Sequence, residues 1–453
     1  MRIRAPKSGA RRLARAGAIL LALAAGALWA APAAALPSFS QQTGEPCARC
    51  HVGAFGPQLK QYGRDFKLFG YAAGDGKNTL PPIALTAIAS YTQTRADRPP
   101  ISGYEANGNS AFQNAMIAYA GRLVGGAGAF AEVFYDGVRR HFSLAKVDVR
   151  RTFTGTLAGH DVVYGAGLNN RPGVEDIWNT PAAFAFSPAT SPFAATPAAA
   201  AVVDSKLASR VAGVSAYALW DDTLYTEFAG YRPLDSGFLN RVGVTTPANA
   251  DRYTGVLPYG RVAVQHEFAD AHYLEVGAYG LEARRFPAGP PTAGEDRFDD
   301  MALDATYQYF GSKRWFLAGH AAWVHEDARL GASRVLSGAQ PKDHLDTYRA
   351  DAIATFDDTW TPAVGAFRTT GSSDPRFFRT PGGKPNATGY IVELGYAPWG
   401  KKRSPVNWAN VKLTARWVGY TRFNGRAAGA SANDTVFVGA SAAVAPFGAW
   451  VRR

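Results

Sequence analysis

From about Ile83 onward the chain runs in short stretches where apolar and polar residues alternate. Segment 407–422 sets Val411, Leu413, Ala415 and Trp417 against Lys412, Thr414 and Arg416, and segment 298–309 sets Met301, Leu303, Ala305 and Tyr307 against Asp300, Asp304 and Gln308. The same holds for Trp315, Leu317 and Trp323 against His320, for Ala145, Val147 and Val149 against Lys146, Asp148 and Arg150, and for Tyr348, Ala350 and Ala352 against Arg349 and Asp351. A period of two gives a strand one apolar and one charged face. Sixteen such segments are predicted: 83–94, 112–123, 128–137, 142–154, 159–168, 209–220, 224–232, 256–268, 272–284, 298–309, 314–325, 344–356, 360–370, 388–398, 407–422 and 434–447. Residues 83–453 give about 23 residues per segment, which fits a membrane-crossing strand of 9–11 residues plus one connection. Segments 83–94 and 209–220 are ambiguous on both faces.

In a β-sandwich the apolar faces would form the core; in an outer-membrane barrel they face lipid and the charges line the lumen. Connection lengths favour the barrel. Every second link is short (Val124–Ala127, Gly155–Ala158, Asp221–Thr223, Ala269–Ala271, Gly311–Lys313, Asp357–Thr359), whereas the links between them are mostly long, the longest running from about Asn169 to Ala208. Short periplasmic turns and long outer loops sort in this way. The expectation is an all-β fold, a 16-stranded antiparallel outer-membrane β-barrel over residues 83–453, preceded by a small helical segment.

That preceding segment has a different period. Phe55, Leu59, Tyr62, Phe66 and Phe69 recur at steps of four, three, four and three, with Pro57 suited to a first helical turn and Gly70 to a helix end. Lys60, Arg64 and Lys67 take the opposite face. Earlier still, residues 1–35 carry six basic side chains and no acid, then the apolar run Ala18–Ala25 and the small residues Ala33-Ala34-Ala35. This is the pattern of a secretory signal peptide; Pro32 and the short apolar core argue against a membrane-anchoring helix.

The leader changes the charge balance. The formal net charge is +12, but +6 of it lies in residues 1–35, and the remaining +6 is too mild to argue for nucleic acid. Charged residues are 19% and aromatics 12%, too apolar for a disordered chain. The mean hydropathy of −0.15 is too low for a bundle of membrane helices.

The two cysteines lie in Cys47-Ala48-Arg49-Cys50-His51. C-x-x-C followed at once by His is the attachment signature of a c-type haem. Two thiols add to the two vinyl groups of the porphyrin, and the adjacent imidazole reaches the iron as proximal ligand. A redox-active CxxC disulfide would call for a βαβ context, which the sequence lacks. One covalent haem c is therefore expected, bound by Cys47, Cys50 and His51, in a monohaem cytochrome segment over residues 36–82. Its aromatic stripe is either plain core or a cover for the porphyrin.

The distal iron ligand is open. Residues 36–82 hold no Met and no second His, and beyond them only Met116 and Met301 offer a thioether. Alternation puts Met116 and His320 on lumen faces, and His266 and His272 flank an expected periplasmic turn. Lys, Tyr, water or no ligand remain alternatives.

Forty-seven residues make a marginal core. The segment is therefore expected to pack in or against the periplasmic mouth, with Lys60, Arg64 and Lys67 facing lumen carboxylates such as Asp148, Asp300, Asp304 and Asp351. The sequence contains no Walker loop, no G-x-S-x-G and no H-E-x-x-H, and its eight His are scattered.

Ser38-Phe39-Ser40-Gln41-Gln42-Thr43-Gly44 leads into the cysteine motif, and Gly63-Arg64-Asp65-Phe66-Lys67-Leu68-Phe69-Gly70-Tyr71 follows it. Together with Asn169-Asn170-Arg171-Pro172 and Asp176-Ile177-Trp178-Asn179-Thr180-Pro181, this organisation resembles the fused outer-membrane cytochrome–porin family of iron-oxidising bacteria. The resemblance implies oxidation of extracellular Fe(II), with electrons passed to a periplasmic cytochrome c or copper protein, and haem attachment at Cys47, Cys50 and His51. It carries over no iron-binding residues. Glu175, Asp176, Glu295, Asp296 and Asp374 are loop acids of the type Fe(II) favours. Another extracellular donor, or a diffusion porin with a haem-bearing plug, are the alternatives.

Overall fold

The computed structural model describes residues 37–74, 81–180, 191–204, 206–244, 251–287, 291–400 and 408–449. The expected signal peptide and most of the linker at Asn78–Pro82 lie outside them. The described residues form sixteen antiparallel barrel strands. They are β1 (Ile83–Thr94), β2 (Asn109–Arg122), β3 (Ala127–Asp136), β4 (His141–Leu157), β5 (His160–Asn169), β6 (Val211–Trp220), β7 (Leu224–Pro233) and β8 (Arg252–Thr254 continued by Leu257–Phe268). There follow β9 (His272–Phe286), β10 (Asp296–Tyr309), β11 (Trp315–Leu330), β12 (Lys342–Phe356), β13 (Trp360–Gly371), β14 (Ala387–Tyr396), β15 (Ala409–Arg422) and β16 (Thr435–Val444). The two pieces of β8 both pair with β9 on either side of Gly255-Val256, so they act as one interrupted strand.

The sheet closes because β1 pairs with both β2 and β16, leaving no free edge. Closure satisfies the backbone hydrogen bonds that lipid cannot. The alternation sorts as expected: on β10 Met301 and Leu303 are exposed on the outside, while Asp300, Asp304 and Gln308 are buried within. A closed barrel with an apolar outer face places the protein in the outer membrane.

The strand ends shift by a few residues from the expected segments, most at β11, which runs five residues past its expected end at 325 to Leu330. The short turns are tight. Asp221-Asp222, Ala269-Asp270 and Asp357-Asp358 each hold two consecutive residues at positive φ, the turn that matches strand twist.

The lumen is filled from both ends. Residues 37–74 enter from the short-turn side as α1 (Pro37–Thr43), α2 (Cys47–Cys50), a 3₁₀ turn (Val52–Ala54) and α3 (Gln61–Leu68). Of the connection between β5 and β6, the described residues 170–180, 191–204 and 206–210 fold inward to meet them. The helix expected from Phe55 to Phe69 starts later than its spacing suggested. After His51 the chain doubles back, His51 bridges to Leu59 and the Val52 N–H donates to the Gln58 carbonyl, so Pro57 lies in a loop rather than in a first turn. The end is as read, with Gly70 at φ +64.

Candidate functional site

Two features of the segment bring its motif together. Helix α2 is one turn long, so Cys47 and Cys50 sit at its two ends with His51 as the next residue, in extended backbone. Helix α3 then lies directly against it. A Cβ on Gly63 would stand 2.4 Å from the Cys50 carbonyl oxygen, so only glycine permits this approach.

Cys47, Cys50 and His51 line one side of a cavity of ≈ 370 Å³, within the range of small-molecule and cofactor sites. No disulfide joins the two sulfurs. Phe39, Phe66 and Tyr71 supply aromatic walls, with Phe39 edge-on to Phe66 at 4.8 Å and stacked on Tyr71 at 5.6 Å. The barrel contributes Thr86, Met116, Phe130, Glu132 and Lys146, and the inward connection Arg171, Val174 and Asn179.

Burial pushes the Cys50 thiol up to about 12, which keeps it protonated. Burial also pushes His51 down to about 4, so its imidazole is neutral and able to ligate a metal. The buried His51 Nδ1 and the Thr86 hydroxyl have no hydrogen-bond partner among the described residues. Three cationic side chains reach the cavity: Lys67, Lys146 and Arg171. Burial lowers Lys67 to about 7, and it lowers Arg171 against the pull of Glu132. Lys146 lies 3.8 Å over the Phe130 ring. A porphyrin with two vinyl groups, an iron and two propionates fits this set: two thiols and a neutral imidazole on one side, aromatic walls, and cations for the carboxylates.

The ion pairs expected for the segment are different ones. Lys60 pairs at 2.6 Å with Asp358 of the β12–β13 turn. Arg64 donates to Gln308 and lies 3.9 Å over the Tyr273 ring. Lys67 donates to the Asp176 carbonyl and to Asn179. The proposed acids are already engaged by the barrel itself: Asp148 with Arg150, Asp304 with Arg261, Asp351 with His320, and Asp300 with the Val203 N–H. Asp148 alone meets the segment, accepting from the Tyr71 hydroxyl at 2.6 Å.

Four of the five loop acids are likewise structural. Glu175 accepts from Asn169 and Ser215, Asp176 caps the Trp178 and Thr180 N–H groups, Asp296 accepts from Ser333, and Asp374 holds its own loop. Glu295 is exposed, 3.6 Å from Arg284. Of the distal-ligand candidates, Met116 lines the cavity; His320 is held by Asp351, the His272 ring by Tyr307, and His266 is exposed on the strand face it shares with Val262 and Val264. Sequence reading missed Glu132, Arg171 and Asn179 as cavity residues. Asn179 falls in the second stretch that carried the resemblance.

No family model matches the chain, and no curated protein matches it. Solved structures do. OmpF of Salmonella typhi, in complex with daunomycin, is 14% identical with a TM-score of 0.47, covering 80% of this chain and 96% of its own. An anion-selective porin from Comamonas acidovorans is 12% identical at 0.41, covering 80% and 98%. The chain is a closed sixteen-stranded antiparallel barrel. Its assignment rests on its own strand ring rather than on these distant likenesses.

Proposed function

We propose that this barrel is a monohaem electron conduit of the outer membrane. What supports the reading is one juxtaposition: the C-x-x-C-H triad, aromatic walls and three cations face a single cavity inside a closed barrel. Cys47 and Cys50 would hold haem c covalently and His51 would ligate its iron. Lys67, Lys146 and Arg171 are the cations available to its propionates. A bound haem supplies a one-electron Fe(II)/Fe(III) couple within the insulating sheet. The chain's own part is to attach the group, wall it with Phe39, Phe66 and Tyr71, and seat it where the segment and the inward connection meet.

The donor implied by the resemblance is extracellular Fe(II), which would lose one electron to become Fe(III), the electron leaving on a periplasmic cytochrome c or copper protein. The structural role of the loop acids favours outer-sphere transfer over a dedicated Fe(II) site. Stopped-flow mixing of the purified holoprotein with Fe(II) is expected to give the spectrum of reduced haem. An unchanged spectrum overturns the iron reading.

A second reading, a diffusion porin whose segment is a plug, is favoured by the porin-like fold and by the inward connection, a device suited to narrowing a pore. Planar-bilayer conductance separates the two: the conduit is expected to be nearly silent, and a large steady current with haem intact supports the porin.

A further inference from the structure

The barrel wall of the cavity carries a sulfur. We infer that the Met116 thioether, presented by β2, is the distal axial ligand of a haem attached at Cys47, Cys50 and His51; the inference rests on the haem reading above.

Iron in a c-type site is ligated by imidazole, thioether or, less often, by an amine or phenolate. Beyond His51, the cavity offers one thioether, two amines and one phenol among its described residues: Met116, Lys67, Lys146 and Tyr71. The last three have other work. Lys67 donates to two oxygens of the inward connection, Tyr71 donates to Asp148, and Lys146 lies over Phe130 beside Glu132. Among the described residues no second imidazole lines the cavity. Met301, the other methionine among the described residues, is 53% exposed on the outer face.

Register gives Met116 its position. It pairs with Thr86 on β1, and both side chains face the cavity, while the next residue, Ile117, is 49% exposed towards lipid. A one-residue slip of β2 would turn the thioether outward. Thr86, beside it, keeps a buried hydroxyl with no partner among the described residues, a donor free to meet a polar group in the cavity. Ligation by Met116 would make the bound group a bridge: covalent to the segment on one side and coordinated to the barrel wall on the other. Thioether with imidazole also favours a high potential.

The test uses the full-length holoprotein in detergent, as wild type, Met116→Leu and Met116→His, with haem content measured as the pyridine haemochrome. The wild type is expected to be low-spin, with the weak far-red sulfur-to-iron absorption of the oxidised form. Met116→Leu is expected to keep its covalent haem and its heat-modifiable barrel mobility, lose that band, turn high-spin and bind carbon monoxide when reduced. Met116→His is expected to restore the low-spin state without the band and at a lower midpoint potential. A Met116→Leu spectrum identical to wild type overturns the ligand while leaving the haem reading intact. A wild type with no covalent haem overturns both.

Discussion

Two insertions fill this barrel, and they are held in opposite ways. The described parts of the inward connection, 170–180, 191–204 and 206–210, are fixed to the wall at both ends, by β5 and β6. Its backbone amides also meet buried wall carboxylates, Val202 with Glu326 and Val203 with Asp300, and Asp204 pairs with Arg349. The segment 37–74 joins the wall through β1 and is held by aromatic contacts, one ion pair at its rim and hydrogen bonds from its own side chains and backbone, such as Tyr71 donating to Asp148 and the Ala54 carbonyl accepting from Asn410. The connection reads as part of the barrel, whereas the segment reads as a separate piece seated in it. What would turn the seated piece into a fixture is a group bonded to both.

The comparison breaks most severely if that group is prevented from attaching. Cys47→Ser with Cys50→Ser is expected to abolish covalent haem while leaving barrel folding intact, so that protease nicks residues 37–74 far faster than the connection, as peptide mapping would show. Equal protection of both insertions would count against the contrast.

Next in size is the place where the two insertions share a support. Arg150 is buried against Asp148, donates to the Val174 and Glu175 carbonyls of the connection and, through Asp148, meets Tyr71 of the segment. Asp148→Ala leaves a buried guanidinium without its carboxylate, which costs about 3–5 kcal/mol. Loss of order is expected in both insertions together, read as hydrogen-exchange rates at 37–74 and 170–180.

A smaller effect comes from pH. Lys67 sits near 7 when docked, against an ordinary 10.5. Between these values the undocked chain binds a proton that the docked chain lacks, so docking strengthens as pH rises through that window and gains nothing below it. In the haem-free Cys47→Ser/Cys50→Ser protein, nicking of the segment is expected to slow from about pH 7 to about pH 9. A Lys67→Met variant should show no such trend.

Smallest is the rim. The Lys60–Asp358 pair is partly solvated, and Lys60→Ala is expected to cost about 0.5–1 kcal/mol of docking, a loss that salt should mask. A larger, salt-insensitive loss would mean that the segment is pinned at its rim rather than at its aromatic face.

Most of the fold was legible because lipid and lumen impose a period of two on every strand, and tight turns leave short gaps such as Asp357–Thr359. The motif Cys47–His51 was legible because its chemistry is contiguous. Of the rest of the cavity, alternation marked Met116 as a lumen-facing ligand candidate. Thr86, Glu132, Lys146 and Arg171 come from separate stretches that meet only once the ring has closed. The ion pairs were misassigned for the same reason: Asp304 and Asp351 share a face with the segment, but Arg261 and His320 reach them first. The helix start was misplaced because Leu59 shares the aromatic spacing yet serves a bridge to His51.

The tight turns carry one more consequence. Ala158 and Ala269 hold left-handed backbone conformations, at φ 54 and φ 50, without the freedom of glycine. They lie in short turns between strands at the barrel's end. Spin probes fixed there, with a third at the exposed Gln61, would act as survey markers from which the seating of the N-terminal piece is triangulated in a living envelope.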